Sequence, residues 1–318
     1  MPEIESAGEK ENWERQVIEK LARSALEEQR KSRNWGIFFK TLTFVYLFAL
    51  LFIAVGWLGG REPLPGDHTA LVELNGVIAA DTHANADVIT RGLHDAFESK
   101  GTKGVILRIN SPGGGPVQAG AINSEMRRLR QKYPQIPLYA VVEDICASGG
   151  YYVAVAADQI YVDRASIVGS IGVLMDGFGF TGTMQKLGVE RRLLTAGENK
   201  GCLDPFSPMS AAQREYAQKM LREIHAQFIE VVRQGRGTRL KEGPDTYSGL
   251  MWTGERSIEL GLADALGSVD FVAREIIKAE KIVDFTPREN IAERFAKRFG
   301  AALGESLVRV VGSAPALR

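Results

Sequence analysis

A serine followed by two glycines, Ser148 to Gly150, stands where a predicted strand gives way to a predicted helix. The strand is "YAVVEDI", and the alanine-rich "YYVAVAAD" that follows favours a helix. A serine at such a bend can be presented at the carboxyl edge of a sheet as a nucleophile, with the Gly149 N–H beside it as a donor to an oxyanion. The match to the motif G-x-S-x-G is incomplete because residue 146 is cysteine. Ser-Gly-Gly alone is more often an ordinary turn.

A second glycine-rich bend, "NSPGGGP" at residues 110–116, follows the apolar strand "GVILRI" and precedes a helix. Glycines allow the backbone to approach a ligand closely, and the start of a helix supplies free N–H groups that can hold an anion. The loop is therefore a candidate oxyanion hole, a phosphate cradle or a plain strand-to-helix turn. A P-loop is disfavoured because the Gly-Lys-Ser/Thr ending is missing from the loop.

A nucleophilic serine needs a base, which would be a histidine or a lysine. The four histidines have no recognised motif around them: His68, His83, His94 and His225. A Ser-His-Asp triad is defined by geometry, so sequence order does not exclude one. Lys200 differs from most lysines after residue 60, because the loop "TAGENKGCLDPFSP" around it is not a charged amphipathic stretch. Since free lysine side chains titrate near ~10.4, a lysine base would have to be desolvated.

Composition narrows the class of protein. The chain has 318 residues, of which 45% are hydrophobic and 25% charged, enough for one sizeable globular domain with extensions. A formal net charge of zero argues against a nucleic-acid partner. Cys146 and Cys202 are too few for a disulfide framework and lack the paired spacing of a zinc site. The cysteines therefore imply no metal.

An uncharged apolar run at residues 41–60 predicts a transmembrane helix over 36–60, because about 20 residues span ~30 Å of hydrocarbon. A buried core helix or a cleaved signal peptide is the alternative. Only one Lys or Arg residue, Arg61, occupies the twenty positions after the run. Basic residues precede it, among them Lys20, Arg23, Arg30, Lys31, Arg33 and Lys40. By the positive-inside rule, the amino terminus is predicted to be cytoplasmic and the bulk of the chain to lie outside the cytoplasm.

The remaining organisation follows from composition and periodicity. Strand-like and helix-like segments alternate after the linker in a βαβαβ order, which predicts an α/β layered fold with its chemistry at the ends of parallel strands. We predict the following order: a cytoplasmic amphipathic segment at 1–35, the transmembrane helix, a linker at 61–69, a catalytic domain at 70–282 and a helical extension at 283–318.

Four stretches together resemble one family of membrane-bound serine peptidases, the signal peptide peptidase A or protease IV type. They are "NSPGG", "CASGGYYVAVAADQIYVDRASIVGSIGV", "NKGCLDPFSPMS" and "WTGERSIELGLADALG", in the family's order. The resemblance implies a ClpP-like, crotonase-type α/β fold and a Ser-Lys dyad, with Ser148 as the nucleophile and Lys200 as the general base. Ser170 matches a hydroxyl that positions the lysine, and Gly114 and Gly149 match the oxyanion-hole region.

The same resemblance implies the setting of the reaction. Expected substrates are signal peptides left in the membrane and other hydrophobic or unfolded segments, and no cofactor is needed. Having one copy of the catalytic unit, the chain is similar to the short form of the family. That form implies a homo-oligomeric ring whose dyads are completed between neighbouring subunits. The expected location is the inner (cytoplasmic) membrane, with one membrane pass and the catalytic domain on the periplasmic side.

Two other classes of function stay open at this point. A crotonase-type acyl-CoA enzyme would share the fold and the oxyanion loop, and CoA binding would discriminate it. A catalytically silent membrane scaffold would tolerate Ser148→Ala. We also hypothesise a disulfide between Cys146 and Cys202, because each lies two residues from a predicted dyad member.

Overall fold

The computed structural model describes residues 3–58 and 66–287, and they fall into two units. The described part of the first unit is one helix, α1, at Glu3–Leu58. Its segment Val17–Phe52 is long and apolar enough to cross a membrane, with a mean hydropathy of 1.8 in its most apolar window and no part of that window buried. The predicted amphipathic segment and the predicted span are therefore parts of one continuous helix. The predicted extension at 283–318 lies almost wholly outside the described residues.

The second unit, within Pro65–Glu289, is an α/β body. Its strands are β1 His68–Asn75, β2 Thr102–Ser111, β3 Leu138–Ala147, β4 Gln159–Val162, β5 Ile167–Gly169, β6 Met251–Thr253, β7 Ala265–Leu266 and β8 Ile282–Asp284. Its helices are α2 Ala86–Glu98, α3 Pro116–Lys132, α4 Gly149–Ala154, α5 Thr181–Lys186, α6 Ala211–Arg236, α7 Gly254–Glu259 and α8 Val269–Phe271. A 3₁₀ turn at Gly237–Arg239 follows α6, and a π-helical turn at Val272–Ile277 follows α8.

Among the described residues, eight strands form one sheet whose main path runs β6-β5-β3-β2-β1-β8. All pairs are parallel except β5 with β6. Strand β3 has two partners on one side. Its first half pairs with β4, and its last residues, Ile145 to Ala147, pair with β5. The change of partner falls between Val141 and Ile145, so the last residues of β3, which lead into Ser148, lie between β2 and β5.

Helices cover both faces of the sheet, as near-continuous apolar strands require. On one face, α2 and α3 pack against the alternate strand residues Val72, Leu74, Leu107 and Ile109. On the other face, Leu71, Ile106, Val141 and Tyr161 pack against the helical turns at 269–277. The predicted α/β class is confirmed, and β1 begins two residues before the predicted domain start at residue 70. The ClpP-like, crotonase-type arrangement stays a prediction.

Residues 172–209, which we call the arm, connect β5 to α6. No residue of the arm is buried, and its only helix is the short α5. Large apolar side chains are nevertheless frequent in it, and Leu174, Phe178 and Leu194 are 80%, 79% and 95% exposed. An apolar surface of this extent on one chain is typical of a segment that packs against another molecule.

Candidate active site

Ser148 occupies a sharp turn between the end of β3 and the first residue of α4. Its φ of 50° and ψ of −120° lie in a sparsely populated region for a residue with a side chain, which costs on the order of 1–3 kcal/mol. The Ser148 N–H donates to the Gly169 carbonyl at 2.8 Å, and the Ser148 carbonyl accepts from the Tyr152 N–H at 2.9 Å. Its hydroxyl does not cap α4. The backbone is therefore held while the hydroxyl stays available.

Ser170 lies beside Ser148 across the sheet. Ala147 at the end of β3 pairs with Gly169 at the end of β5, so the two serines follow paired residues on parallel strands, which lie about 4.8 Å apart. Ser170 also has a positive φ, 52°, and its N–H donates to the Leu250 carbonyl at 2.8 Å. Within the described ranges only two further non-glycine residues have positive φ. Backbone strain is thus concentrated at the predicted site.

The glycine loop at 113–115 lies directly against the Ser148 turn. A Cβ added to Gly113 would lie 2.7 Å from the Cβ of Ser148 and 2.6 Å from the nitrogen of Gly149. One added to Gly149 would lie 3.1 Å from the nitrogen of Gly114. Side chains at either position would therefore separate the loop from the turn.

The Gly114 N–H is left out of the bridge that holds this loop. Ile78 donates to the Gly113 carbonyl and accepts from the Gly115 N–H, each at 2.8 Å. Successive N–H groups of an extended segment point to opposite sides, so that of Gly114 points away from Ile78. The backbone nitrogens of Gly114 and Gly149 therefore both border the Ser148 turn, where the oxyanion hole was predicted.

Ser111 supports this loop and was not identified from the sequence. It is fully buried, its hydroxyl donates to the Gly76 carbonyl at 2.6 Å, and the hydroxyl oxygen accepts from the Gly113 N–H at 3.1 Å. A Cβ added to Gly150 would lie 3.3 Å from its Cβ. The sequence did contain one sign of this role, because Ser111 lies two residues before Gly113. At that spacing a serine hydroxyl often hydrogen-bonds a backbone N–H.

Lys200 is not part of this cluster within one chain. It lies in the arm, its side chain is exposed, and its backbone N–H donates to Gly197 at 3.1 Å. In the described part of the chain, no hydrogen bond joins its side chain to Ser148 or Ser170. The structure therefore brings together Ser148, Ser170, Gly114 and Gly149, and it shows no hydrogen bond from the exposed Lys200 side chain to either serine.

Three of the four histidines have partners elsewhere. The Nε2 of His225 lies 3.2 Å from the Ile171 carbonyl, and His94 pairs with Glu125. His68 is not in a linker but begins β1, where it is fully buried beside Ser99 and Thr102. Nowhere in residues 66–287 does a histidine hydrogen-bond Ser148. A histidine base for Ser148 is thus unsupported.

The hypothesis of a disulfide is not supported, since both cysteines are free thiols. Cys146 is fully buried in β3, where burial raises the pKa of its thiol, whereas Cys202 is partly exposed in the arm. Among the described residues no group of three or more His, Cys, Asp or Glu side chains is placed to hold a metal ion.

Comparison with known proteins identifies relatives over this body. Residues 130–283 match the family described as Peptidase family S49. The chain is 30% identical over 223 residues to a putative signal peptide peptidase SppA of Enterococcus faecium, covering 68% of this chain and 64% of that protein. It is 29% identical over 235 residues to a probable protease SohB of Haemophilus influenzae, covering 74% and 64%.

A third relative has a different name. Over 177 residues the chain is 47% identical to a protein of Brucella melitensis named Na(+)/H(+) antiporter NhaA, covering 56% of this chain and 24% of that protein. The chain thus spans less than two thirds of the length of each of these relatives. The family match includes the strained turns at Ser148 and Ser170, and relatives named as peptidases align over most of the body. The chain belongs to peptidase family S49.

Proposed function

We propose that the chain is a membrane-anchored serine endopeptidase in which Ser148 is the nucleophile and Lys200 the general base. The observation that carries the proposal is the strained Ser148 turn, whose hydroxyl is free of a capping bond and whose neighbours are the N–H groups of Gly114 and Gly149. Membership of a peptidase family supports this use of the turn.

In the proposed reaction, Ser148 Oγ attacks the carbonyl carbon of a peptide bond while the neutral Lys200 Nζ takes its proton. The N–H groups of Gly114 and Gly149 stabilise the tetrahedral oxyanion. The resulting lysinium protonates the departing amine as the carbon–nitrogen bond breaks, and water then hydrolyses the acyl-enzyme with the same base. Ser170, next to Ser148 in register, positions the lysine.

We propose that Lys200 reaches Ser148 of a neighbouring copy in a homo-oligomeric ring. Lys200 is exposed in the arm, and the arm carries apolar side chains that no other part of its own body covers. Burial of the arm against a second copy would remove this surface from water and would desolvate the lysine, which favours its neutral form. A heterologous contact of this kind generates a ring when its rotation closes.

The proposed substrates are signal peptides left in the membrane, with other hydrophobic or unfolded segments. Helix α1 would hold the body close to such substrates and raise their local concentration. The basic residues that precede the apolar run favour a cytoplasmic amino terminus, so the body would lie on the periplasmic side of the inner membrane. The proposed chemistry uses no cofactor.

The test is hydrolysis of a fluorogenic hydrophobic peptide by the detergent-solubilised full chain and by its Ser148→Ala and Lys200→Ala variants. Matched controls are Ser124→Ala on the exposed face of α3 and Lys100→Ala in the exposed turn after α2. We expect both site variants to lose activity at unchanged oligomer size and both controls to keep it. Turnover by either site variant would contradict the dyad.

One other function has an observation in its favour. A pair of glycine N–H groups would polarise a thioester carbonyl as well as a peptide carbonyl, which suits a crotonase-type acyl-CoA enzyme. Binding of CoA by the full chain, with Ser148→Ala still active on an acyl-CoA, would favour that function. If the chain showed neither activity and the Ser148→Ala variant kept normal cellular function, a silent scaffold would be favoured instead.

A further inference from the structure

The arm begins directly after Ile171, which we call the root of the arm. Helix α6 contacts this residue through one side chain. Ile171 is fully buried, and the arm ends just before Ser210, the N-cap of α6. Between these ends, the Nε2 of His225 on α6 lies 3.2 Å from the Ile171 carbonyl oxygen. Because a carbonyl only accepts, the His225 Nε2 donates in this contact.

Helix α6 is itself firmly anchored. Near its end, the buried Arg236 guanidinium donates to both oxygens of Asp264 at 2.8 and 2.9 Å and to the Gly261 carbonyl at 2.8 Å. One turn after His225, the ring of Phe228 packs against that of Tyr152 at 5.1 Å between centroids. Tyr152 lies on α4, the helix that begins next to Ser148. Helix α6 thus contacts the nucleophile helix and the root of the arm through neighbouring positions of one face.

The Ser170 turn is strained, so it persists only where several contacts fix it. Two of those contacts are backbone bonds, from the Ser170 N–H to Leu250 and from the Gly172 N–H to Ser170, at 2.8 and 2.9 Å. The third is the His225 bond to Ile171. Of the three, the His225 bond is made by a side chain and connects the turn to α6.

We propose that His225 is a positioning residue, which fixes the Ser170 turn and the root of the arm relative to the nucleophile helix. The proposal rests on the proposed function, since it assigns His225 to the same site. His225 acts by donating from Nε2, so it does not act as the base for Ser148. Its loss would let the Ser170 hydroxyl and the arm that carries Lys200 shift together.

The kinetic test compares His225→Ala with His225→Gln in the detergent-solubilised full chain. Glutamine keeps an N–H donor at a similar reach, and alanine removes it. We expect His225→Ala to lower kcat by about 10- to 100-fold with little change in KM, since small displacements of catalytic groups have effects of that size. We expect His225→Gln to recover most of kcat. Equal impairment of the two variants would overturn the donor role.

The second test does not depend on activity. Hydrogen exchange of the amides in residues 168–174 should accelerate in His225→Ala and stay near the wild-type rate in His225→Gln, while exchange in α3 stays unchanged in both. Unchanged exchange and unchanged kcat in His225→Ala would overturn the proposal. If the wild type shows no Ser148-dependent hydrolysis, the proposed function fails separately, and exchange alone then decides whether His225 holds the turn.

Discussion

At the scale of single residues, the site combines strained serines with a glycine loop that a buried hydroxyl holds in place. Ser148 and Ser170 have positive φ values beside each other, and their N–H groups are bonded to neighbouring backbone carbonyls. Ser111 then holds the loop through Gly113 and Gly76. Stored strain at adjacent residues is typical of functional sites whose geometry the rest of the fold enforces.

Ser111→Ala should weaken the oxyanion hole without touching the nucleophile. The change leaves the Gly113 N–H and the Gly76 carbonyl without their hydroxyl partner, so the Gly114 N–H is less precisely aimed. We expect kcat to fall by about 10- to 100-fold, below the loss seen when an oxyanion donor is removed outright in the strongest cases. Peptide hydrolysis measures this, with Ser124→Ala as the exposed control. An unchanged kcat in folded protein would show that the hydroxyl does not position the loop.

Part of this site could be predicted from local sequence patterns. Ser148 and the loop at 110–116 each follow a strand and precede a helix, a pattern that is visible in the sequence. Ser111 and His225 were not predictable, because their roles depend on partners distant in sequence, Gly76 and Ile171. Apolar periodicity likewise could not show that Lys200 forms no hydrogen bond with Ser148 within one chain. A ring with shared dyads was nevertheless expected from the family resemblance.

At the scale of elements, the buried pair of Arg236 and Asp264 fixes α6 against the sheet. Asp264 also accepts from the Ile160 N–H at 2.7 Å at the start of β4. Burial by itself raises the pKa of Asp264, but hydrogen bonding and charge from Arg236, the Ile160 N–H and the charge of Arg239 together hold it below its usual value. The carboxylate is therefore stabilised in the folded state.

This pair has a pH signature. A lowered folded-state pKa contributes stability above the unfolded value, near ~3.9 for aspartate, and that stability is lost as pH falls through the folded-state pKa. Asp264→Asn should lower the free energy of unfolding at pH 7 by about 3 kcal/mol and flatten its decline below about pH 4. Denaturant melts across pH measure both, with Asp81→Asn in an exposed loop as the control. Parallel acid-side slopes in wild type and Asp264→Asn would contradict this role.

The long elements were predictable and the short ones were not. Strands β2 and β3 and helix α3 lie where the sequence predicted two strands and a helix. Strands β4 to β8 have two to four residues, too few to show an alternation. The division of β3 between β4 and β5 depends on these short strands, so the placement of Ser170 beside Ser148 could not be read from the sequence.

At the scale of the whole molecule, the membrane topology that we propose for helix α1 and the α/β body can be tested with single cysteines. The labelling uses chains in which Cys202→Ser is also present. We expect Ser124→Cys, on the exposed face of α3, to react with a membrane-impermeant maleimide in intact spheroplasts. Ser24→Cys, in the exposed early part of α1, should react only after lysis. Buried Cys146 should stay unlabelled in both. Labelling of Ser24→Cys before lysis, with protection of Ser124→Cys, would reverse the proposed orientation.

The most direct measurement is peptide hydrolysis by mixed assemblies of the Ser148→Ala and Lys200→Ala chains. The two chains are co-expressed in equal amounts and compared with each variant alone. If Ser148 of one copy works with Lys200 of the next, random mixing in a ring restores about a quarter of wild-type activity from two inactive proteins. Each variant alone should stay inactive, and mixing Ser148→Ala with a Ser148→Ala, Lys200→Ala double variant should restore nothing. No recovery in mixed assemblies of normal size, with an active wild type, would contradict a dyad shared between copies.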